Sequence, residues 1–130
     1  MTTKELTISQ RMTKTPYLIG AEQPLRAAHE LMHRHAIRHL PVLHGGKLIG
    51  LVSQRDLHLV ETLSDVDPDT VRVEEAMSQD VYAVDPKTPL KEVVHEMAER
   101  KLGSAVVVQG TTVVGVFTTV DALELLAETL

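Results

Sequence analysis

The sequence has no cysteine and no tryptophan, a single phenylalanine and two tyrosines. Without cysteine there is no disulfide framework, no thiolate metal site and no cysteine nucleophile. With so few aromatics, the core has to be aliphatic, filled by Val, Leu, Ile, Met and Ala. Cations are in deficit: 13 Lys and Arg against 18 Asp and Glu leave a net charge of −5 with histidine neutral. That balance argues against general nucleic-acid affinity, which a basic surface mostly supplies, though a local basic pocket is compatible with it. Long apolar runs are missing too, and no stretch approaches the ~20 residues of a membrane span. Met1-Thr2-Thr3-Lys4-Glu5 leads into no apolar segment, so no signal peptide is expected and the chain reads as cytoplasmic. What is present is 43% hydrophobic and 24% charged over 130 residues. That suits one ordinary soluble domain, or two very small ones sharing a core.

Taken in order, residues 1–7 form a polar lead-in, Ile8 to Met12 fit a short helical turn, and Thr13 to Pro16 read as a turn. Tyr17-Leu18-Ile19 suits a short strand. A helix opens at Gln23-Pro24, where proline at the first position loses no hydrogen bond. Leu25, Ala28, Leu31 or Met32, and Ala36 mark its apolar face at helical spacing. His39 to Leu43 reads as a strand, His44-Gly45-Gly46-Lys47 as a tight turn, and Leu48 to Val52 as the returning strand. Ser53 then opens a helix expected to run to about Leu63. The acidic stretch from Ser64 to Thr70 lacks periodicity and reads as a solvated linker.

The second half repeats the first without a gap, at a constant offset of sixty-five residues. Met77 answers Met12, Tyr82 answers Tyr17, Pro89-Leu90 answers Pro24-Leu25, and Met97 answers Met32. Val107, Gly110, Gly115 and Asp121 answer Val42, Gly45, Gly50 and Asp56. An ungapped duplication of a strand–helix–strand–strand–helix unit predicts two α+β repeats, over 8–64 and 73–130 with a linker at 65–72. Each is too small to bury its core well alone, so the repeats are expected to pack about a pseudo-twofold axis.

The most informative repeated stretch is Gly50-Leu51-Val52-Ser53-Gln54-Arg55-Asp56, restated as Gly115-Val116-Phe117-Thr118-Thr119-Val120-Asp121. A hydroxyl followed three residues later by a carboxylate, at the start of a helix, has two readings. One is a capping box, with Ser53 or Thr118 capping the N–H groups and Asp56 or Asp121 reaching back. The other is a nucleotide clamp. There the helix N-terminus and the hydroxyl receive a phosphate, and the aspartate accepts bonds from the ribose hydroxyls.

The duplication resembles a tandem pair of cystathionine-β-synthase (CBS) domains, or Bateman module, over nearly the whole chain. The resemblance is carried by Met12-Thr13-Lys14 and Met77-Ser78-Gln79, by Leu40-Pro41-Val42, and by the glycine–hydroxyl–aspartate signature above. It implies an α+β fold and an adenosyl ligand (AMP, ADP, ATP or an S-adenosylmethionine type) held between the repeats. No catalytic role is implied, nor any required cofactor. The partners it implies are a second copy of the chain, in a homodimer, and a client protein whose identity the sequence does not give. By position, Asp56 and Asp121 would hold ribose hydroxyls, and Ser53 and Thr118 would contact ribose or phosphate. The base would lie between the first strands (Leu18, Ile19; Ala83, Val84) and the second strands (His39, Leu40, Pro41; Ser104, Ala105, Val106). Arg38 and Arg55 flank the first site where Gly103 and Val120 flank the second, so phosphate affinity is expected to favour the first. Arg100 and Lys101 remain candidates for reaching the second.

Six of the seven histidines fall in the first repeat. The pairs His29/His33 and His35/His39 are spaced to share a helix face. Zinc or nickel normally asks for a third ligand, and a strand at His39 breaks the second pair, so polar-face histidines are expected and no metal. No elbow motif supports a Ser–His–Asp triad, and no phosphate loop is present. Met12, Met32, Met77 and Met97 read as core filler. The function expected is a regulatory sensor with no role for membrane or nucleic acid; the alternative is a dimerisation scaffold with vestigial sites.

Overall fold

The computed structural model describes residues 5–63 and 65–130. Two compact units are present, Tyr17–Val81 and a split unit joining the residues through Pro16 to Tyr82–Leu130.

In the 17–81 unit, β2 (Ile19–Gly20), β3 (His39–His44) and β4 (Lys47–Ser53) form one sheet, with β2 parallel and β4 antiparallel to β3. Helices α1 (Leu25–His35) and α2 (Gln54–Glu61) cover it. The hairpin turns on Gly45 and Gly46, whose φ of +57° and +79° suit the type I′ turn that matches strand twist. Ile19, Leu25, Ala28, Met32, Leu40, Val42, Val52 and Leu57 fill the core, as the helical and alternating patterns require. Val73 and Ala76 complete it from beyond the expected linker. The helix opens one residue later than read: Pro24 is its extended N-cap and Leu25 its first residue.

The split unit repeats this plan with β5 (Ala83–Val84), α3 (Leu90–Arg100), β6 (Ser104–Gln109), β7 (Thr112–Thr118) and α4 (Thr119–Thr129). Its sheet has a fourth strand, β1 (Thr13–Lys14), antiparallel to β7, giving the order β1-β7-β6-β5. Phe117, the only phenylalanine, sits fully buried in an otherwise aliphatic core with Leu90, Val93, Met97, Ala105 and Val107. Both hairpins carry a register shift at the same repeat position, Val42/Leu43 and Val107/Val108.

Two further expectations are corrected, and the packing units cut across the sequence repeats. Thr13-Lys14 is a strand, because its backbone finds the edge of β7. The packing units also differ from the contiguous segments 8–64 and 73–130. Ile8 N–H donates to Thr88 and Leu90 N–H to Leu6, so the lead-in of the first repeat packs with the second half. Likewise Leu51 and Ser78 exchange backbone bonds of 2.9 and 2.8 Å, which ties the second repeat's lead-in to β4. Finally, the expected linker is anchored. Leu25 N–H donates to Val71, Arg26 N–H to Pro68, and the Arg26 guanidinium holds Asp69. That bond, foremost, holds the Asp69 carboxyl below its ordinary range. Ser64 lies outside the described residues.

Candidate functional site

In each unit the hydroxyl and the aspartate meet where the last strand becomes a helix. Ser53 ends β4, and its Oγ accepts the Asp56 N–H at 3.1 Å while Asp56 Oδ2 accepts the Ser53 N–H at 2.8 Å. Thr118 ends β7, with the matching bonds at 3.3 and 2.8 Å. The Thr118 hydroxyl also donates to Asp121 Oδ2 at 3.2 Å. The capping boxes are therefore formed. Among the described residues, each box uses only Oδ2, and Oδ1 of both aspartates accepts no bond. Capping and ligand holding are thus compatible on one carboxylate.

Strand register brings the second-strand residues beside these caps. His39 lies directly opposite Ser53, and Ser104 directly opposite Thr118. Residues opposite one another in a ladder project on one face. His39, Pro41, Leu51 and Ser53 therefore share a face in the 17–81 unit, and Ser104, Val106, Val116 and Thr118 share one in the split unit. The other face of each sheet is the helix-covered core. The residue before each second strand closes the helix start: Gln54 N–H donates to Arg38 at 2.9 Å, and Thr119 N–H to Gly103 at 3.1 Å.

Not every candidate side chain stands on that face. Ile19, Leu40 and Ala105 belong to the cores, and Val84 packs against one, so these four leave chiefly backbone groups for a ligand. Leu18, just before the two-residue β2, is half-buried, and Ala83, on the two-residue β5, is exposed. Pro41 and Val106 are buried on the cap face. Arg38 and Arg55 are exposed, whereas Asp56 and Asp121 are partly buried. Burial, above all, pushes the His39 imidazole down from its ordinary 6.5, with Asp56 opposing and Arg38 assisting. Arg100 is already engaged, donating to Glu96 and lying 5.5 Å over the Tyr82 ring.

Two features escaped the sequence reading. Ser104 is 5% exposed, and its Oγ has no hydrogen-bond partner among the described residues. A groove of about 340 Å³ runs between β2 and α1, lined by Leu18, Ile19, Gln23, Ala27, Glu30 and Arg34 among others. Only the strand register could have exposed the first, and only the packing of α1 the second. Of the histidines, His29 contacts Glu61 and its ring lies 6.4 Å from that of His58, while Tyr17 stacks on His35 at 3.7 Å. No group of three or more metal-ligating side chains converges among the described residues. Among the same residues no helix is long and apolar enough to cross a membrane.

Comparison with known proteins identifies the family and the fold. The model of the CBS domain matches twice, over residues 4–60 and 73–128. Hypoxic response protein 1 of Mycobacterium tuberculosis is 27% identical over 111 residues, covering 85% of this chain and 78% of that protein. A Vibrio cholerae protein named for acetoin utilization (AcuB) superposes with a TM-score of 0.87 at 31% identity, over 97% of this chain and 93% of its own. The CBS domain pair of protein MJ0100, solved with 5′-methylthioadenosine and S-adenosyl-L-methionine, gives a TM-score of 0.85 at 22% identity, over 98% and 100% of the two chains.

Proposed function

The chain belongs to the CBS-domain family, and on that premise we propose that it is a non-catalytic sensor of an adenine nucleotide or adenosyl ligand, held at its aspartate-capped helix starts. One observation carries this reading. Both copies of the motif present a partly buried carboxylate with one oxygen committed to the helix and the other open, beside a helix N-terminus that attracts anions. A ribose diol is a natural donor pair for such an oxygen. The adenosyl compounds bound by the MJ0100 pair support the ligand class.

Ligand binding would act on a client protein by favouring one arrangement of the module, to the extent that the ligand's affinity differs between arrangements. Self-association into a homodimer fits α4. On that helix Val120, Leu123 and Leu126 lie three residues apart and are 52%, 62% and 50% exposed, with Leu130, just past its end, 94% exposed. The same stripe is what favours the second reading, a dimerisation scaffold with vestigial sites.

The two readings part on the aspartates. Asp56→Asn and Asp121→Asn keep the shape and a capping oxygen but remove the charge. As caps alone, they should cost a few tenths to about 1 kcal/mol of stability and leave binding untouched. As ribose acceptors, each charged bond contributes roughly 1.5–3 kcal/mol, so calorimetry should record at least a tenfold loss, about 1.4 kcal/mol. A 2′-deoxy ligand should bind the parent weakly yet lose little more on the variant. Parent-like binding by both variants would leave the aspartates as caps alone, and a parent that binds no adenosyl compound would leave the scaffold.

A further inference from the structure

The two clamps differ at three equivalent positions, and the differences all run in one direction. Around Ser53–Asp56 stand Arg38, His39 and Arg55; around Thr118–Asp121 stand Gly103, Ser104 and Val120. These positions match in three dimensions as well as in sequence. The carbonyls of Arg38 and Gly103 both accept the first helical N–H, and His39 and Ser104 both face the cap across the ladder. None of these three positions of the α4 clamp carries a cation, and Arg100 on the neighbouring helix donates to Glu96 and lies over the Tyr82 ring.

The α4 clamp nevertheless carries a mark of a built site. Ser104 is more than nine-tenths buried, its Oγ is unpartnered, and it stands on the same sheet face as the Thr118 cap. Native proteins seldom leave a buried hydroxyl without a partner, because its desolvation is uncompensated. A group that arrives with the ligand would supply that partner. At the helix's second position, Val120 offers an apolar surface in place of the arginine.

We propose that the α4 clamp takes an adenosyl ligand whose 5′ substituent carries no negative charge, such as a thioether, with the Ser104 hydroxyl bonded to it, while the α2 clamp takes the phosphorylated form. This rests on the adenosyl reading above and divides that ligand class between the two sites. Asp121 holds the ribose, the helix start tolerates an alkylthio group beside Val120, and a phosphate there lacks the two arginines that flank the α2 clamp. At the α2 clamp, Arg38 and Arg55 supply the phosphate's counter-charge.

Calorimetry of the whole chain with AMP and with 5′-methylthioadenosine tests this. Each compound should bind with unchanged affinity when the other is saturating, and only AMP binding should weaken as salt rises. The double variant Arg38→Gln/Arg55→Gln should lose tenfold or more for AMP and nothing for the thioether. Ser104→Ala should weaken the thioether severalfold and spare AMP, while melting no earlier than the parent, since no bond within the protein is lost. Val120→Arg, at an exposed position, should create a second AMP site. Competition between the two compounds for one site, or equal losses in both arginine and serine variants, would overturn the sorting and leave the adenosyl reading standing. Binding of neither compound would remove both.

Discussion

At the residue scale, the repeated glycines are explained by the repeated methionines. An ideal Cβ on Gly50 would overlap the Met77 sulfur and lie 2.9 Å from the Ser78 carbonyl; on Gly115 it would overlap the Met12 sulfur and lie 2.8 Å from Met12 Cγ. Each methionine thus seats on the glycine of the other repeat. Their recurrence was legible as core filler, but no local pattern says which strand receives them. Gly50→Ala and Gly115→Ala should each cost about 1–3 kcal/mol by overpacking. Adding Met12→Ala should recover part of the Gly115→Ala loss, because only the Met12 side chain obstructs that site. Met77→Ala should recover less at Gly50, where a backbone carbonyl remains in the way. Denaturant midpoints of the two double-mutant cycles check this, and equal recovery would refute it.

His39 gives a pH dependence at the same scale. Its folded value lies below the ordinary 6.5, chiefly through burial, so the unfolded chain binds this proton more readily than the folded one. Stability from this group is fully present above about pH 6.5 and declines as pH falls from there towards the lowered folded value. His39→Gln should flatten that decline in denaturation curves taken between about pH 7.5 and 5. An unchanged slope would assign the loss to other groups. The sequence did place His39 at a strand start, but its half-burial beside Asp56 depends on register.

At the element scale, most helices and strands were readable because apolar spacing is local, and the misses mark where pairing is not. β1 is two polar residues before Thr15 and Pro16, and only the distant β7 makes them a strand. The helix ends were equally hidden. Both α1 and α3 stop at a left-handed residue, Ala36 at φ +52° and Lys101 at φ +56°, where glycine would be the usual signal. The left-handed conformation costs a non-glycine residue roughly 1–2 kcal/mol, and glycine returns about 0.4–1 kcal/mol of that through the unfolded chain. Ala36→Gly should therefore stabilise by about 0.5–1 kcal/mol, and a lower melting temperature would contradict this. The exposed stripe of α4 makes its own prediction. Leu123→Glu with Leu126→Glu should turn the proposed dimer into a monomer in sedimentation at tens of micromolar, leaving the fold intact. A parent protein that is monomeric with and without nucleotide would end the dimer proposal.

At the scale of the whole molecule, the duplication and the α+β class were legible, but the exchange of lead-in segments was not. Sequence repeats are defined by similarity, and compact units by which backbones bond and which side chains are buried together. The 17–81 unit needs Val73, fully buried, and Ala76, nearly so, along with the Val73 N–H bond to Gln23 and the Leu51–Ser78 pairing. A fragment spanning 8–64 has none of these, and it carries β1 without β7. Burying one valine contributes about 1.5–3 kcal/mol, against a total of roughly 5–15 kcal/mol for an ordinary domain. A unit this small has less in reserve. The 17–81 fragment should accordingly melt with a sigmoidal, cooperative transition, and Val73→Ala should lower its midpoint markedly. The 8–64 fragment should show a shallow, featureless melt and rapid amide exchange throughout β3 and β4. Equal cooperativity in both fragments would mean that the contiguous repeat is the folding unit and the exchanged segments are only decoration. A cooperative 17–81 fragment beside a non-cooperative 8–64 fragment would mean that the first repeat needs the second repeat's lead-in to finish its core, so that a cut at the repeat boundary unfolds it where a cut at the unit boundary does not.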